Sequence, residues 1–150
     1  MKNLQWHWAP FDALSSADWY AVSAAREAVF IVEQKCPFLD ADGADPHCWH
    51  LIGKVDGALA AYARVVPPGV KYAEASIGRV LTTDAFRRGG YGQALMREAV
   101  TRTAALFPAH PIRIGAQRYL EKFYGGFGFQ TVSEPYDEDG IMHVEMLRAR

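Results

Sequence analysis

The residues most suited to chemistry sit in one stretch. An apolar run at 75–82 enters Arg87-Arg88-Gly89-Gly90-Tyr91-Gly92, and a helical pattern follows until Pro108 stops it. Glycine lets backbone N–H groups approach a ligand closely. A helix start adds unpaired donors and a positive partial charge. Together they form a ready site for an anion, most often a phosphate. Arg87 and Arg88 contribute fixed cations suited to phosphate oxygens. Elsewhere the signals are weaker. Cys36, His47, Cys48 and His50 carry zinc-binding atoms but not a paired-ligand spacing, so no metal is expected. Asp40-x-Asp42-Gly43-x-Asp45 imitates a calcium loop, yet the position that requires a glutamate holds Leu51.

Several phosphate chemistries compete at the glycine turn, beside a turn that holds nothing. A nucleoside-triphosphate loop needs Gly-Lys-Ser or Gly-Lys-Thr at its end, and here Gly92 is followed by Gln93-Ala94. A dinucleotide fingerprint needs an acid after the next strand, and that strand ends at Gly115-Ala116-Gln117. The pyrophosphate of coenzyme A remains as the third reading.

The elements that must position this turn follow from periodicity. Leu4, Trp6 and Trp8 alternate with polar or small residues, which predicts a first strand over 4–9. Ser15-Ser16-Ala17-Asp18 supplies caps for a helix over 19–34, free of Gly and Pro. A long loop spans 35–49, the length at which loops tend to be functional or mobile. Asp56-Gly57 between the runs 50–55 and 58–66 predicts a hairpin. The second helix places Leu95, Ala99, Thr103 and Leu106 on one side. A strand over 112–116, a short aromatic helix over 119–127 capped by Gly128, and strands over 129–133 and 141–147 complete a mixed α/β chain around a central sheet. Tyr119 is expected to pack. Length and composition agree with one domain: 150 residues, 50% hydrophobic and 22% charged, which excludes intrinsic disorder. With 16 basic and 17 acidic residues the chain lacks the positive excess that non-specific nucleic-acid binding needs. No apolar run approaches the ~20 residues of a membrane span. Residues 1–10 lack the apolar core of a signal peptide, so a cytoplasmic protein with reduced cysteines is expected.

Arg87-x-x-Gly90-x-Gly92 resembles the coenzyme A loop of the GNAT acetyltransferase superfamily. Downstream, Phe123-Tyr124-Gly125-Gly126-Phe127-Gly128-Phe129 looks like that superfamily's Phe-Tyr-x-x-x-Gly-Phe signature, in the right order and spacing. Val32-Glu33-Gln34-Lys35-Cys36-Pro37, Ala61-Tyr62-Ala63-Arg64-Val65, Ile77-Gly78-Arg79-Val80 and Glu138-Asp139-Gly140-Ile141-Met142-His143 narrow the resemblance to its ElaA-like branch. Arg88, Gln117 and Leu120 depart from the common Gly, Asn and Ala.

The resemblance implies an α/β (α+β) fold of GNAT type over residues 1–150, with a mixed, mostly antiparallel central sheet flanked by helices. It implies acetyl-CoA as co-substrate and an N-acetyltransferase acting on a primary amine of a small molecule or protein. Val80, Leu81 and Thr82 would pair with the pantetheine arm through their backbone. Arg87, Arg88, Gly89, Gly90, Tyr91, Gly92 and Gln93 would hold the pyrophosphate, and Gln117 would lie beside the coenzyme arm. Tyr124 would be the general acid, and Glu33 and His143 are the candidates for general base. Asp40, Asp42, Asp45, Asp137, Glu138 and Asp139 lie in the two segments that frame the acceptor site in such a fold, which suggests a cationic amine. The alternative on the same fold is a regulatory domain that binds acyl-CoA without turning it over. The aromatic first strand leaves a homodimer interface and a core face both open.

Overall fold

Alternation in the first strand becomes an inward face of tryptophan. In the computed structural model, which describes residues 3–150, β1 (Gln5–Pro10) lies antiparallel to β2 (Trp49–Val55). Trp6 and Trp8 pack against the chain's own core, and Trp8 stacks on Trp49 with ring centroids 5.1 Å apart. β3 (Ala58–Val66) and β4 (Ser76–Thr82) extend the same antiparallel sheet. Asp56 and Gly57 join β2 to β3 with φ of 51° and 80°. That double positive φ matches the natural twist of a hairpin.

α1 (Ser16–Arg26) begins where the Ser15 side chain accepts a hydrogen bond from the Asp18 N–H at 3.0 Å. The cap satisfies a donor that the helix cannot. The winding then widens over Glu27–Glu33: Gln34 N–H bonds the Val29 carbonyl and Cys36 N–H the Ile31 carbonyl, each five residues back. Such wide turns concentrate at functional sites.

α2 (Tyr91–Leu106) buries Leu95, Met96, Ala99 and Val100, with Thr103 alongside. Leu106, expected on that face, is exposed. β5 (Ile112–Gln117), the short helix α3 (Glu121–Gly125), β6 (Gln130–Thr131), β7 (Tyr136–Glu138) and β8 (Ile141–Arg148) follow. β8 pairs antiparallel with β5, β6 and β7. Leu95, Met96 and Ala99 share one core with Leu51, Ala63 and Ile77 of the first sheet and Ile114, Val144 and Met146 of the second. Each such Leu, Ile, Val or Met side chain contributes about 1.5–3 kcal/mol when fully buried.

The expected single sheet is therefore two sheets. β4 and β5 meet only at one end, through a parallel bridge of Ala75 with Ile112, where Arg113 N–H donates to the Ala75 carbonyl at 2.8 Å. The reason lies in β4. Tyr62 pairs with Leu81 and Arg64 with Gly78, so Arg79 and Val80 together oppose Ala63. This is a bulge, and Arg79 adopts a positive φ of 51° within it. An extra residue bends and twists its strand, which carries the second half of β4 away from β5. Among the described residues, no helix is long and apolar enough to cross a membrane.

Candidate active site

A cavity of about 440 Å³ fills the opening between β4 and β5. Val80, Leu81 and Thr82 form one wall, Gln117 and Tyr124 the other, and Glu33, Glu138 and His143 come from the flanks. Eight of the fourteen residues assigned to catalysis or coenzyme binding in the sequence thus meet in one space: Val80, Leu81, Thr82, Gln117, Tyr124, Glu33 and His143, together with Arg87.

The remaining six, Arg88 to Gln93, form the turn into α2 and do not line the cavity. Gly90 caps α2 with φ of 84°, a conformation costly for other residues. Gly89 is required for another reason, since a Cβ there would stand 2.7 Å from the Tyr91 ring. A Cβ on Gly92 would meet only the Thr82 methyl, at 3.9 Å. The first bond within α2 runs from Ala94 N–H to the Gly90 carbonyl at 3.1 Å. The donors of Gly92 and Gln93 therefore precede the helix's own ladder. The Tyr91 side chain is buried, edge-on to Phe86 at 5.5 Å, so its part in the turn is its backbone. Arg88 is exposed with φ of 64°.

Two residues expected at the site contact each other. Arg87 Nη1 lies 2.8 Å from Glu33 Oε1, and Arg87 Nε donates to the Thr82 carbonyl at 3.3 Å. The arginine read as a phosphate cation and the glutamate read as a free base are partners, joining the end of β4 to the end of the first helical segment. Gln117 makes a parallel tie, its Nε2 donating to Gln34 Oε1 at 3.3 Å.

Tyr124 lines the cavity with its ring buried, set edge-on to Phe123 at 5.1 Å and to Phe129 at 6.3 Å. Among the described residues, no protein group hydrogen-bonds its hydroxyl. Burial pushes its pKa up to about 12, because a phenolate there would lose its water. Tyr124 is thus a neutral donor facing a space rather than a partner. His143 is buried beside Tyr136, ring centroids 6.0 Å apart. Its Nδ1 is 2.8 Å from the Ile141 carbonyl. A carbonyl only accepts, so Nδ1 carries the proton. Nε2 lies 3.3 Å from Glu138 Oε2, a contact that becomes an ion pair once the ring takes a second proton.

The acetyltransferase (GNAT) domain family matches residues 44–149. Protein ElaA of Escherichia coli is 38% identical over 147 residues, covering 97% of this chain and 96% of that one. The chain belongs to the GNAT acetyltransferase family, in its ElaA-like branch. The fold agrees: the crystal structure of E. coli ElaA superposes with a TM-score of 0.92 at 37% identity, covering 98% of this chain and 100% of that chain. An acyl-CoA N-acyltransferase from Pseudomonas aeruginosa gives 0.93 at 38% identity over the same shares. A GNAT family acetyltransferase from Elizabethkingia anophelis, solved with acetyl-CoA bound, shares the fold at 15% identity and a TM-score of 0.63, covering 98% of this chain and 96% of that one.

In this GNAT chain half of the expected acidic field at the acceptor side, the part on the long loop, is neutralised, and the residues that neutralise it were overlooked in the sequence. Arg26 and Arg64 are each 1% exposed. Arg26 reaches Asp40 and Asp45, both at 2.7 Å. Arg64 reaches Asp42 at 2.8 Å and Asp45 at 3.1 Å, and Arg79 reaches Asp40 at 2.9 Å. Three guanidiniums neutralise the three carboxylates of the long loop and pin it to the first sheet. The hydrogen bond from Arg64 holds Asp42 well below the carboxylate range. Burial works to raise Asp45, but Arg26 and Arg64 outweigh it and its pKa is lowered. Arg64 within the apolar run 58–66 was the available signal, since a charge on a buried strand must find a partner. The thiols and imidazole considered for a metal have separate duties: Cys36 Sγ bonds the Asp139 carbonyl, Cys48 Sγ the Ala44 carbonyl, and His50 bonds the Tyr62 hydroxyl at 2.7 Å. Tyr119, expected to pack, is 75% exposed at the cavity rim.

Proposed function

We propose that this chain is an acetyl-CoA-dependent N-acetyltransferase that moves an acetyl group to a primary amine by direct attack on the thioester. The observation that carries this reading is the protonated Tyr124 hydroxyl, open to the cavity on a buried ring and without a protein partner among the described residues, across from the bulged β4. Among the described residues, no strand lies beside the edge of β4 that faces β5 beyond Ala75. Backbone groups of Val80, Leu81 and Thr82 can therefore pair with an extended amide-bearing arm, as an added strand would. The acetyl-CoA bound in the E. anophelis neighbour supports the choice of co-substrate. The turn from Arg88 to Gln93 offers helix-start donors to its pyrophosphate.

His143 Nε2 accepts the proton that the amine must lose, and Glu138 stabilises the imidazolium so formed. A backbone N–H at the bulge donates to the oxygen of the carbonyl under attack, where negative charge develops. Tyr124 donates its proton to the departing sulfur. Glu33 holds Arg87 and the loop in place rather than acting as the base.

The test follows free thiol released from acetyl-CoA across a panel of primary amines, with coenzyme affinity measured by calorimetry. Amine-dependent thiol release supports the reading. Coenzyme binding with no turnover on any amine would replace it with the acyl-CoA-binding regulator.

A further inference from the structure

Most acidic side chains on the cavity wall have a basic neighbour in contact. Glu33 meets Arg87 at 2.8 Å, Asp40 meets Arg79 at 2.9 Å, and Glu138 faces His143 at 3.3 Å. Two wall residues remain without an ion-pair partner among the described residues, and they have opposite sign: Lys71 and Asp139. Lys71 is exposed, but its surroundings limit where its side chain can go. Its segment is tightened by the Gly69 N–H bond to the Tyr72 carbonyl at 2.7 Å, and its ammonium sits 5.4 Å from the centroid of the Tyr72 ring. Tyr72 is anchored in turn, its hydroxyl donating to Glu145 at 3.3 Å.

The position of Lys71 separates it from the coenzyme phosphates. It precedes β4, at the end where Ala75 bridges to Ile112. The glycine turn follows the other end of β4, seven residues on. At about 3.3 Å per residue the two ends of the strand lie roughly 20 Å apart. The surroundings also disfavour the lysine's charge. Burial and the nearby Arg64 and Arg79 lower its pKa, against Glu138 and Asp42. A cation in that position is relieved by an anion from outside.

We infer that the acceptor is an amine that also bears a carboxylate, an amino-acid-like zwitterion, with Lys71 binding the carboxylate while the amine lies toward Asp139, Glu138 and His143. The inference rests on the N-acetyltransferase reading and names its substrate class. A polycationic acceptor fits less well, because Asp40, Asp42 and Asp45 are already neutralised.

Matched pairs decide it: α-, β- and γ-amino acids against their carboxamides, assayed by thiol release with the full-length protein. In the wild type the amide of the preferred pair should show a KM about tenfold or more above the acid, the size expected for losing a charge-assisted contact. Lys71→Gln should bring that ratio close to one, and Lys71→Arg should retain most of it. Thermal unfolding and coenzyme calorimetry on each variant check that fold and donor site persist. Amides that match or outperform acids in the wild type, or a ratio that survives in K71Q, would overturn the assignment. If no amine releases thiol, the N-acetyltransferase reading has failed. Calorimetric titration of the acetyl-CoA-loaded protein with the same acids and amides then decides the site by itself. Acid binding that is lost in K71Q supports it; absent or unchanged binding overturns it.

Discussion

Removing one oxygen atom from Tyr124 separates its two roles. Its ring packs against Phe123 and Phe129, and that packing survives in Tyr124→Phe. The hydroxyl has no protein partner to lose, so stability should hold and coenzyme affinity should be unchanged. Turnover should fall by about 10²- to 10⁴-fold, the range for loss of a general acid, in assays where chemistry limits the rate. The pH profile adds an independent check. With its pKa raised to about 12 from an ordinary 10.0, the phenol stays protonated well past the point where an exposed tyrosine ionises. The rate should therefore show no alkaline fall between pH 8 and roughly 10 that Tyr124→Phe abolishes. A Tyr124-dependent fall in that window would mean that the phenol is not buried as described.

At the scale of elements, the glycine turn and the long loop yield opposite experiments. Gly92 stands in the first turn of α2, and a Cβ there meets only a methyl at 3.9 Å. Gly92→Glu should fold normally, and a carboxylate at a helix start slightly favours the helix. The same charge faces the site expected for pyrophosphate. Calorimetry should show coenzyme affinity lowered at least tenfold while the melting temperature is level or higher. An unchanged affinity would remove the turn from the site. The loop is held instead by buried ion pairs. Asp45→Ala leaves Arg26 and Arg64 without a shared carboxylate and should cost about 3–5 kcal/mol in denaturant unfolding. Asp42 and Asp45 are both held below their ordinary value of 3.8 in the folded state. Their stabilisation is therefore full above that value and is lost as the pH falls through it toward the folded pKa. Melting temperatures taken from pH 7 to pH 3 should drop steeply below about pH 4, and less steeply in Asp45→Ala.

Across the whole molecule, one core joins the two sheets, and α2 supplies its centre. Leu95 is fully buried among residues of both sheets. Leu95→Ala should cost about 2–5 kcal/mol. Because neither sheet has another core of comparable size, tryptophan fluorescence, which reports on Trp6, Trp8 and Trp49 in the first sheet and on Trp19 of α1 packed against it, should lose its signal in the same transition as far-UV circular dichroism. Two separated transitions would show that the sheets fold independently.

Local pattern determined much of this protein: the double positive φ at Asp56-Gly57, the Ser15 cap, the glycine-rich entry to α2 and the motif around Tyr124 all depend on residues within a few positions of one another. Such features are legible because neighbouring side chains and backbone angles alone set them. The sheet's division, the pairing of Glu33 with Arg87, and the neutralisation of Asp40, Asp42 and Asp45 by Arg26, Arg64 and Arg79 were decided only in three dimensions. Partners there lie 14 to 54 residues apart in the chain. A charged residue's sequence neighbours reveal its sign but not what it will face. The electrostatics of the acceptor side are set by which charges remain unpaired after folding, and that subtraction requires the tertiary contacts.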